Sequence, residues 1–361
     1  MRGSIKIARV AGIPVRIHWT FILLILYIFF SNYLAGKTPE QIVWSVIFIL
    51  SVFFTVFLHE LGHARAARWY GIHTQDITIL PIGGVARLTE IPSKPLQEIV
   101  VSIAGPLVNI ILSILVFIFL GVGFKDIAVL KAGESINKDN FFIYFFTVNI
   151  WLAFFNLIPG FPMDGGRIFR ALLSLRMERH VATRIAAYIG QAIAVIFIFA
   201  GFFSNPFLIF IGLFIILGAE SEAESVKTDY YLKDTPVDVI VMKNFGRLEI
   251  TDPVFKAVDQ ILNSENKNFV VFENNIPVGT LNRDEIILGL QQYGKDVAVD
   301  VIANKNPVKI TNKMSLNEVY RNFQKGPDGY FLVYDERGQF IGVIDLENII
   351  EFMTIKKLFV E

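Results

Sequence analysis

Apolar positions fall into two regimes along the chain. Up to about residue 222 they gather into six long runs, near 17–35, 42–62, 97–122, 141–159, 183–203 and 205–221. A helix needs about 20 such residues to cross the hydrocarbon of a bilayer, so each run predicts a transmembrane helix. Between the second and third runs the period changes. Asp76 to Glu90 reads DITILPIGGVARLTE: a strand-like alternation, a turn at Pro81 and Gly83-Gly84, then a second short strand. Too short and too polar at its edges to span, it predicts a re-entrant β-hairpin, with an ordinary cytoplasmic hairpin as the alternative. From about Lys227, behind Glu220, Glu222 and Glu224, the pattern becomes a soluble α/β alternation with an internal repeat. Val237-Asp238-Val239-Ile240 recurs as Val299-Asp300-Val301-Ile302, and Ile250-Thr251 as Ile310-Thr311. Phe269 to Phe272, a turn at Asn274-Asn275, and Pro277 to Leu281 predict a hairpin that leads into a helix. Tyr330 to Tyr334, a turn at Glu336-Arg337-Gly338, and Phe340 to Ile344 repeat it. Each repeat, at about 60 residues, is small for an independent core, so the two are expected to pack as a pair.

The expected fold is therefore a polytopic α-helical membrane protein, six transmembrane helices with a re-entrant hairpin, followed by a C-terminal α/β tandem pair. The expected bounds are 1–222 for the membrane part, 223–232 for a linker, and 233–296 and 297–361 for the repeats.

Composition sharpens this. Hydrophobic residues are 53% of the 361, with 34 Phe, more than a soluble chain of this length can bury. The first run is too long, and followed by too many others, to be a cleaved signal. The formal net charge of zero gives no electrostatic case for a nucleic-acid partner. The absence of cysteine removes disulfides and thiolate ligands, so any metal must be held by His and carboxylate. Basic residues set the orientation. Arg2, Lys6, Arg9 and Arg16 precede the first run, and Arg65 and Arg68 follow the second. Arg167, Arg170, Arg176, Arg179 and Arg184 outnumber Asp164 and Glu178 between the fourth and fifth. All three groups then face the cytoplasm, as do the N-terminus and the C-terminal pair of a multi-pass cell-membrane protein.

Candidate chemistry sits at the end of the second run. His59-Glu60-Leu61-Gly62-His63 is an HExxH motif. On a helix, residues four apart share a face, so both imidazoles reach one metal ion. Glu60 lies about 100° around the helix, within reach of a water that the metal activates, as general base. Two His ligands, a third protein ligand and an open position suit Zn2+, one per chain. Charged groups against the run Ile47 to Leu58 are costly, which favours a functional role. The best third ligand is Asp164, in the helix-breaking stretch NLIPGFPMDGG from Asn156 to Gly166; a turn Asp completed by Gly165 is compatible with ligation. His18, His73 and His180 are expected to be structural or surface residues.

HELGH on the second span with NLIPGFPMDGGR about a hundred residues later resembles the site-2 protease family of intramembrane metalloproteases, over roughly residues 10–222. The resemblance implies zinc ligands His59, His63 and Asp164, the base Glu60, and a catalytic role for Asn156 in positioning the scissile carbonyl or stabilising its oxyanion, with capping of the broken backbone as the alternative for Asn156. It also implies substrate contact at the hairpin, through Ile82, Gly83 and Gly84, by addition of an unwound substrate as a strand. Gly105-Pro106-Leu107-Val108-Asn109 matches a further family motif and puts Asn109 near the site, grouped with the substrate-binding residues and supporting rather than catalytic. A PDZ domain, carried by one branch, does not fit in the short loop 124–140. Residues 233–353 resemble a pair of CBS domains. The family's nucleotide pattern, Thr or Ser three residues and Asp six residues after a strand Gly, is not kept: Asn282 and Glu285 follow Gly279, and Asp345 and Asn348 follow Gly342. Adenosine-nucleotide binding and a dimerisation or scaffold role therefore both stay open.

The expected function is regulated intramembrane proteolysis of membrane-anchored proteins. A CBS-regulated divalent-cation transporter is the alternative, with the His and Asp cluster as a permeation site. A zinc-stabilised signalling scaffold is a third.

Overall fold

A computed structural model describes residues 3–81, 83–89, 92, 94–127, 134–264, 266–324, 326 and 329–360. The chain divides into two compact units, Met1–Val226 and Lys227–Glu361.

The first unit opens with strands β1 (Ser4–Val10) and β2 (Ile13–His18). Helices α1 (Thr20–Leu34) and α2 (Pro39–Trp69) follow. Strands β3 (Thr74–Leu80) and β4 (Gly83–Leu88) lead to α3 (Pro95–Leu120) and the short α4 (Phe124–Ile127). Then come α5 (Phe141–Asn156), α6 (Asp164–Leu173), α7 (Arg179–Phe203) and α8 (Phe207–Leu232). Each of the six apolar runs coincides with a helix. By length and composition, α2, α3 and α7 can cross a membrane, while α1 and α5 are shorter apolar helices. The start of α2 is fixed by a capping box: Thr38 accepts from the Gln41 backbone, Gln41 reaches back, and Pro39 fits the first turn.

Three sequence expectations change. Arg2 to Arg16 is not a mere charged flank, because residues from Ser4 onward form the β1–β2 hairpin. Ile13, Val15 and Ile17 alternate at the period of a strand and bury Ile13 and Val15. The first helix accordingly begins at Thr20. The β3–β4 hairpin is also not isolated: it extends that sheet in the order β1-β2-β3-β4, with Val15 beside Ile77 and Ile17 beside Ile79 in parallel. Ile13, Phe21, Ala64, Ile77 and Ile79 form the core between sheet and helices. Finally, the expected linker 223–232 is helical and belongs to α8. The stretch from Ala219 to Leu232 contains neither Gly nor Pro, so nothing in it breaks the helix.

The second unit repeats one topology. In the first copy β5 (Gly246–Glu249) runs parallel to β6 (Asn268–Glu273), which pairs antiparallel with β7 (Ile276–Asn282). In the second, β8 (Lys309–Thr311), β9 (Phe331–Tyr334) and β10 (Phe340–Ile344) do the same. Helices α9 (Val254–Asn263), α10 (Arg283–Tyr293), α11 (Leu316–Phe323) and α12 (Leu346–Val360) complete the pair. Asn274 and Asn275 both have left-handed φ, 49° and 66°, as a two-residue hairpin turn demands. The bounds 233–296 and 297–361 do not separate two cores. Val237, Ile240 and Val241 pack with Ile310, Leu316 and Ile344 of the later copy. Val299, Ile302 and Ala303 pack with Leu248, Phe269 and Leu281 of the earlier one. Each copy closes with a segment borrowed from the other, as units this small require.

Candidate metal centre

HExxH lies near the C-terminal end of α2, one turn placing His59 and His63 on one face. The proline- and glycine-rich chain after α5 brings Asp164 back as the first residue of α6. The three converge. His59 Nε2 and His63 Nε2 are 3.1 Å apart, and Asp164 Oδ2 lies 3.2 Å from the first and 3.1 Å from the second. All three residues are buried.

The opposite ring nitrogens fix what these atoms are. His63 Nδ1 is 2.7 Å from the Val101 carbonyl oxygen, which can only accept, so Nδ1 carries the proton and Nε2 a lone pair. His59 Nδ1 is likewise 2.7 Å from Asn109 Oδ1. Two lone pairs and a carboxylate oxygen thus face one another in a buried space, an arrangement that repels itself without a cation. Ligands at about 2.05 Å in a tetrahedron lie about 3.3 Å apart, close to the spacing seen. These residues fit a metal ion, and both imidazoles carry the outer hydrogen bond typical of metal-ligating histidine. Gly105 of α3 lies against the pair: a Cβ there would come within 2.6 Å of His59 Nε2.

Glu60 turns toward β4, where its Oε2 accepts from the Ala86 backbone N–H at 3.1 Å. Gly84 permits this, since a Cβ there would meet Glu60 Cγ at 2.6 Å. A cavity of about 460 Å³ joins these groups; His59, Glu60, His63, Gly83, Gly84, Asn109, Asn156 and Asp164 line it, with Phe155, Phe197, Phe214 and Ile215 among its apolar walls. Asn156 closes α5 and donates from Nδ2 to the Leu152 carbonyl at 2.8 Å. Asn109 is fully buried, its carboxamide between His59 and Asn149, an orienting place. Ile82 lies outside the described residues. His18 pairs with Thr20 and His180 with Glu178, away from the cluster.

Sequence reasoning missed the polar groups behind Asp164. Arg170, counted there among cytoplasmic loop charges, is fully buried: it pairs with Glu98 of α3 and, at 2.9 Å, with Glu222 of α8. Arg179 reaches the other Glu98 oxygen at 3.2 Å. The spacing Asp164, Arg167, Arg170 is a helical one, and Glu98 opens an apolar run; together they were the available signal. In the sheet, hydrogen bonds from Arg87 hold the Asp76 carboxyl below the usual carboxylate range against the cost of its burial.

In the second unit, the positions expected to meet a nucleotide serve as helix caps. Asn282 and Glu285 bond each other's backbone N–H at 2.9 and 2.8 Å, and Asp345 caps the Asn348 N–H at 2.8 Å. Burial pushes the Glu285 and Asp345 carboxyls up. A cavity of about 270 Å³ between Thr280, Asn282, Glu285, Asn304 and Tyr330 adjoins the first cap.

A buried His-His-Asp metal site with a carboxylate beside it, on apolar helices, defines a membrane metallohydrolase. The family model of peptidase family M50 matches residues 47–128 and 125–200, and the CBS domain model matches 297–355. A zinc metalloprotease of Methanocaldococcus jannaschii is 34% identical over 359 residues, covering 99% of this chain and 98% of the relative. Stage IV sporulation protein FB of Bacillus subtilis is 31% identical over 138 residues, covering 38% of this chain and 44% of that one. The solved site-2 protease from Methanocaldococcus jannaschii has 37% identity and a TM-score of 0.45, over 61% of this chain and 95% of that one. The chain belongs to peptidase family M50, the site-2 proteases, with a C-terminal CBS domain. The transporter alternative is less supported, because the M50 match contains the very residues, His59, His63 and Asp164, that a permeation site would need.

Proposed function

We propose that this chain is an intramembrane zinc metalloprotease that hydrolyses peptide bonds in or near the transmembrane segments of membrane-tethered proteins. The convergence of His59 Nε2, His63 Nε2 and Asp164 Oδ2, with Glu60 in the same cavity, carries the reading. His59, His63 and Asp164 would hold Zn2+, which when bound supplies Lewis-acid polarisation and acidifies water. The Glu60 carboxylate takes the proton of the attacking water and returns it to the leaving amine nitrogen. Asn156 Nδ2 carries two hydrogens, of which Leu152 engages one, so the other is free to meet the carbonyl oxygen as negative charge develops.

A substrate helix must unwind before its peptide bond reaches these groups, and its freed backbone then needs partners. Edge strand β4, with Gly83 and Gly84 on the cavity wall, offers them by strand addition, which supports a substrate-binding role for this hairpin at membrane depth. The arginine bias supports a cytoplasmic position for both termini, where the CBS pair would regulate access, by dimer formation or by a ligand. The test uses detergent-purified protein and a single-span substrate. Glu60→Gln should keep its zinc and lose cleavage, and chelator should stop the wild type; full activity in Glu60→Gln discards the mechanism.

A further inference from the structure

β4 ends the sheet among the described residues, with β3 on its other side. In an antiparallel pair, alternate residues turn their N–H and C=O toward the neighbour and away from it. The Ala86 N–H turns away, because it donates to Glu60 Oε2. Gly84 and Leu88, two residues on either side, share that outward edge. An incoming strand needs these outward groups in a row, and one of them is already taken by the side chain expected to act as base.

Building on the strand-addition reading above, we infer that Glu60 occupies the Ala86 position on β4 that a substrate strand must claim, so that docking releases the base. A substrate carbonyl that bonds the Ala86 N–H displaces Glu60 Oε2, and the carboxylate is then free to turn to the attacking water. One N–H cannot serve both acceptors at full strength. Without substrate the carboxylate is parked on the sheet; with a helical segment that fails to pair, it stays there. Only an extended chain in register with Ala86 both binds and frees the base, which makes backbone conformation a condition of cleavage as well as of binding. Gly84 is part of this arrangement, since any side chain there would push Glu60 off the strand.

Competition for one N–H separates charge from reach. Glu60→Asp keeps the charge but is one methylene too short to span to Ala86; Glu60→Gln loses the charge and keeps the acceptor. Full-length protein in detergent, with chelator in every sample to prevent cleavage, is titrated with a fluorescent single-span peptide whose unwound segment is rich in β-branched residues. The Asp variant is expected to bind the peptide about fivefold more tightly than the Gln variant, the worth of one neutral hydrogen bond to the Ala86 N–H no longer in competition. Equal affinities, or tighter binding by the Gln variant, overturn the inference. A second peptide with proline at alternate positions of the segment tests the reading beneath it. If it binds as tightly as its parent, no strand adds to β4 at all, and both ideas fall. If it binds weakly while the Asp and Gln variants do not differ, only the displacement of Glu60 is wrong.

Discussion

Glu98 of α3 and Arg170 of α6 form an ion pair almost without solvent access, their side chains 4% and 0% exposed. Arg170 also holds Glu222 at 2.9 Å, so one guanidinium serves two carboxylates from two helices. It does so six residues after Asp164, on the same short helix.

Removing the guanidinium takes from Glu222 its 2.9 Å ion pair and leaves Glu98 with Arg179 alone. Arg170→Met should lower stability by roughly 3–5 kcal/mol, the usual consequence of leaving buried charge unpaired. Arg170→Lys should recover only part of this, because an ammonium cannot offer two forks at once. Thermal unfolding in detergent measures both.

Gly105→Ala should abolish metal binding and leave the fold intact. The added Cβ would run into His63 Nε2 and fall within 2.6 Å of His59 Nε2, so both imidazoles have to move and the three ligand atoms no longer converge. A displacement on the order of 1 Å at reacting groups costs about 100-fold in rate. Elemental analysis of the purified variant, beside its unchanged elution and melting, tests this.

Asn109→Ala removes the acceptor that holds His59 Nδ1 and frees the ring to rotate. Metal affinity should fall by about 10- to 100-fold, the range for loss of such an outer partner. Competition with a graded series of chelators gives the number, and cleavage should return at high zinc.

Acidification should stabilise the second unit through Asp345. Burial raises its folded-state pKa, with Glu347 adding to the rise and the Asn348 N–H and Lys267 opposing it. The folded chain therefore binds this proton more tightly than the unfolded one. Stability is gained as pH falls through the raised value, and the gain is complete below the unfolded value of about 3.9. Asp345→Asn keeps a capping acceptor and lacks the titration. The melting difference between wild type and variant should shift toward the wild type as pH falls from about 7 to about 4.

The long helices were legible because a bilayer asks for one thing, an unbroken apolar run: each of the six runs coincided with a helix, and α2, α3 and α7 are long and apolar enough to cross. His59 and His63 were legible for a similar reason: a spacing of four on a helix is already a geometry. Asp164 needed a third fact, the broken chain around it. The β1–β2 hairpin was hidden by its basic residues; Lys6, Arg9 and Arg16 read as a charged flank while the alternating isoleucines between them went unweighed. Arg16 in fact lies 3.4 Å from Asp76, across the sheet. Arg170 misled for the opposite reason. A charge beside a span reads as a loop charge, and only the fold shows that Glu98 and Glu222 close around it. The exchanged segments of the second unit, Val237 to Val241 and Val299 to Ala303, were visible as a repeat; which core each would enter was not, since a repeat gives both segments the same affinity for either.

The two imidazoles are held by different kinds of acceptor, and this decides how mutation reaches them. His59 depends on the carboxamide of Asn109, which one codon change deletes. His63 leans on the Val101 main-chain carbonyl, which every amino acid supplies. A saturation library should therefore return many working residues at position 101, limited by how they pack in α3, and few at 109. One ligand of the centre is inherited with the backbone; the other has to be kept by selection.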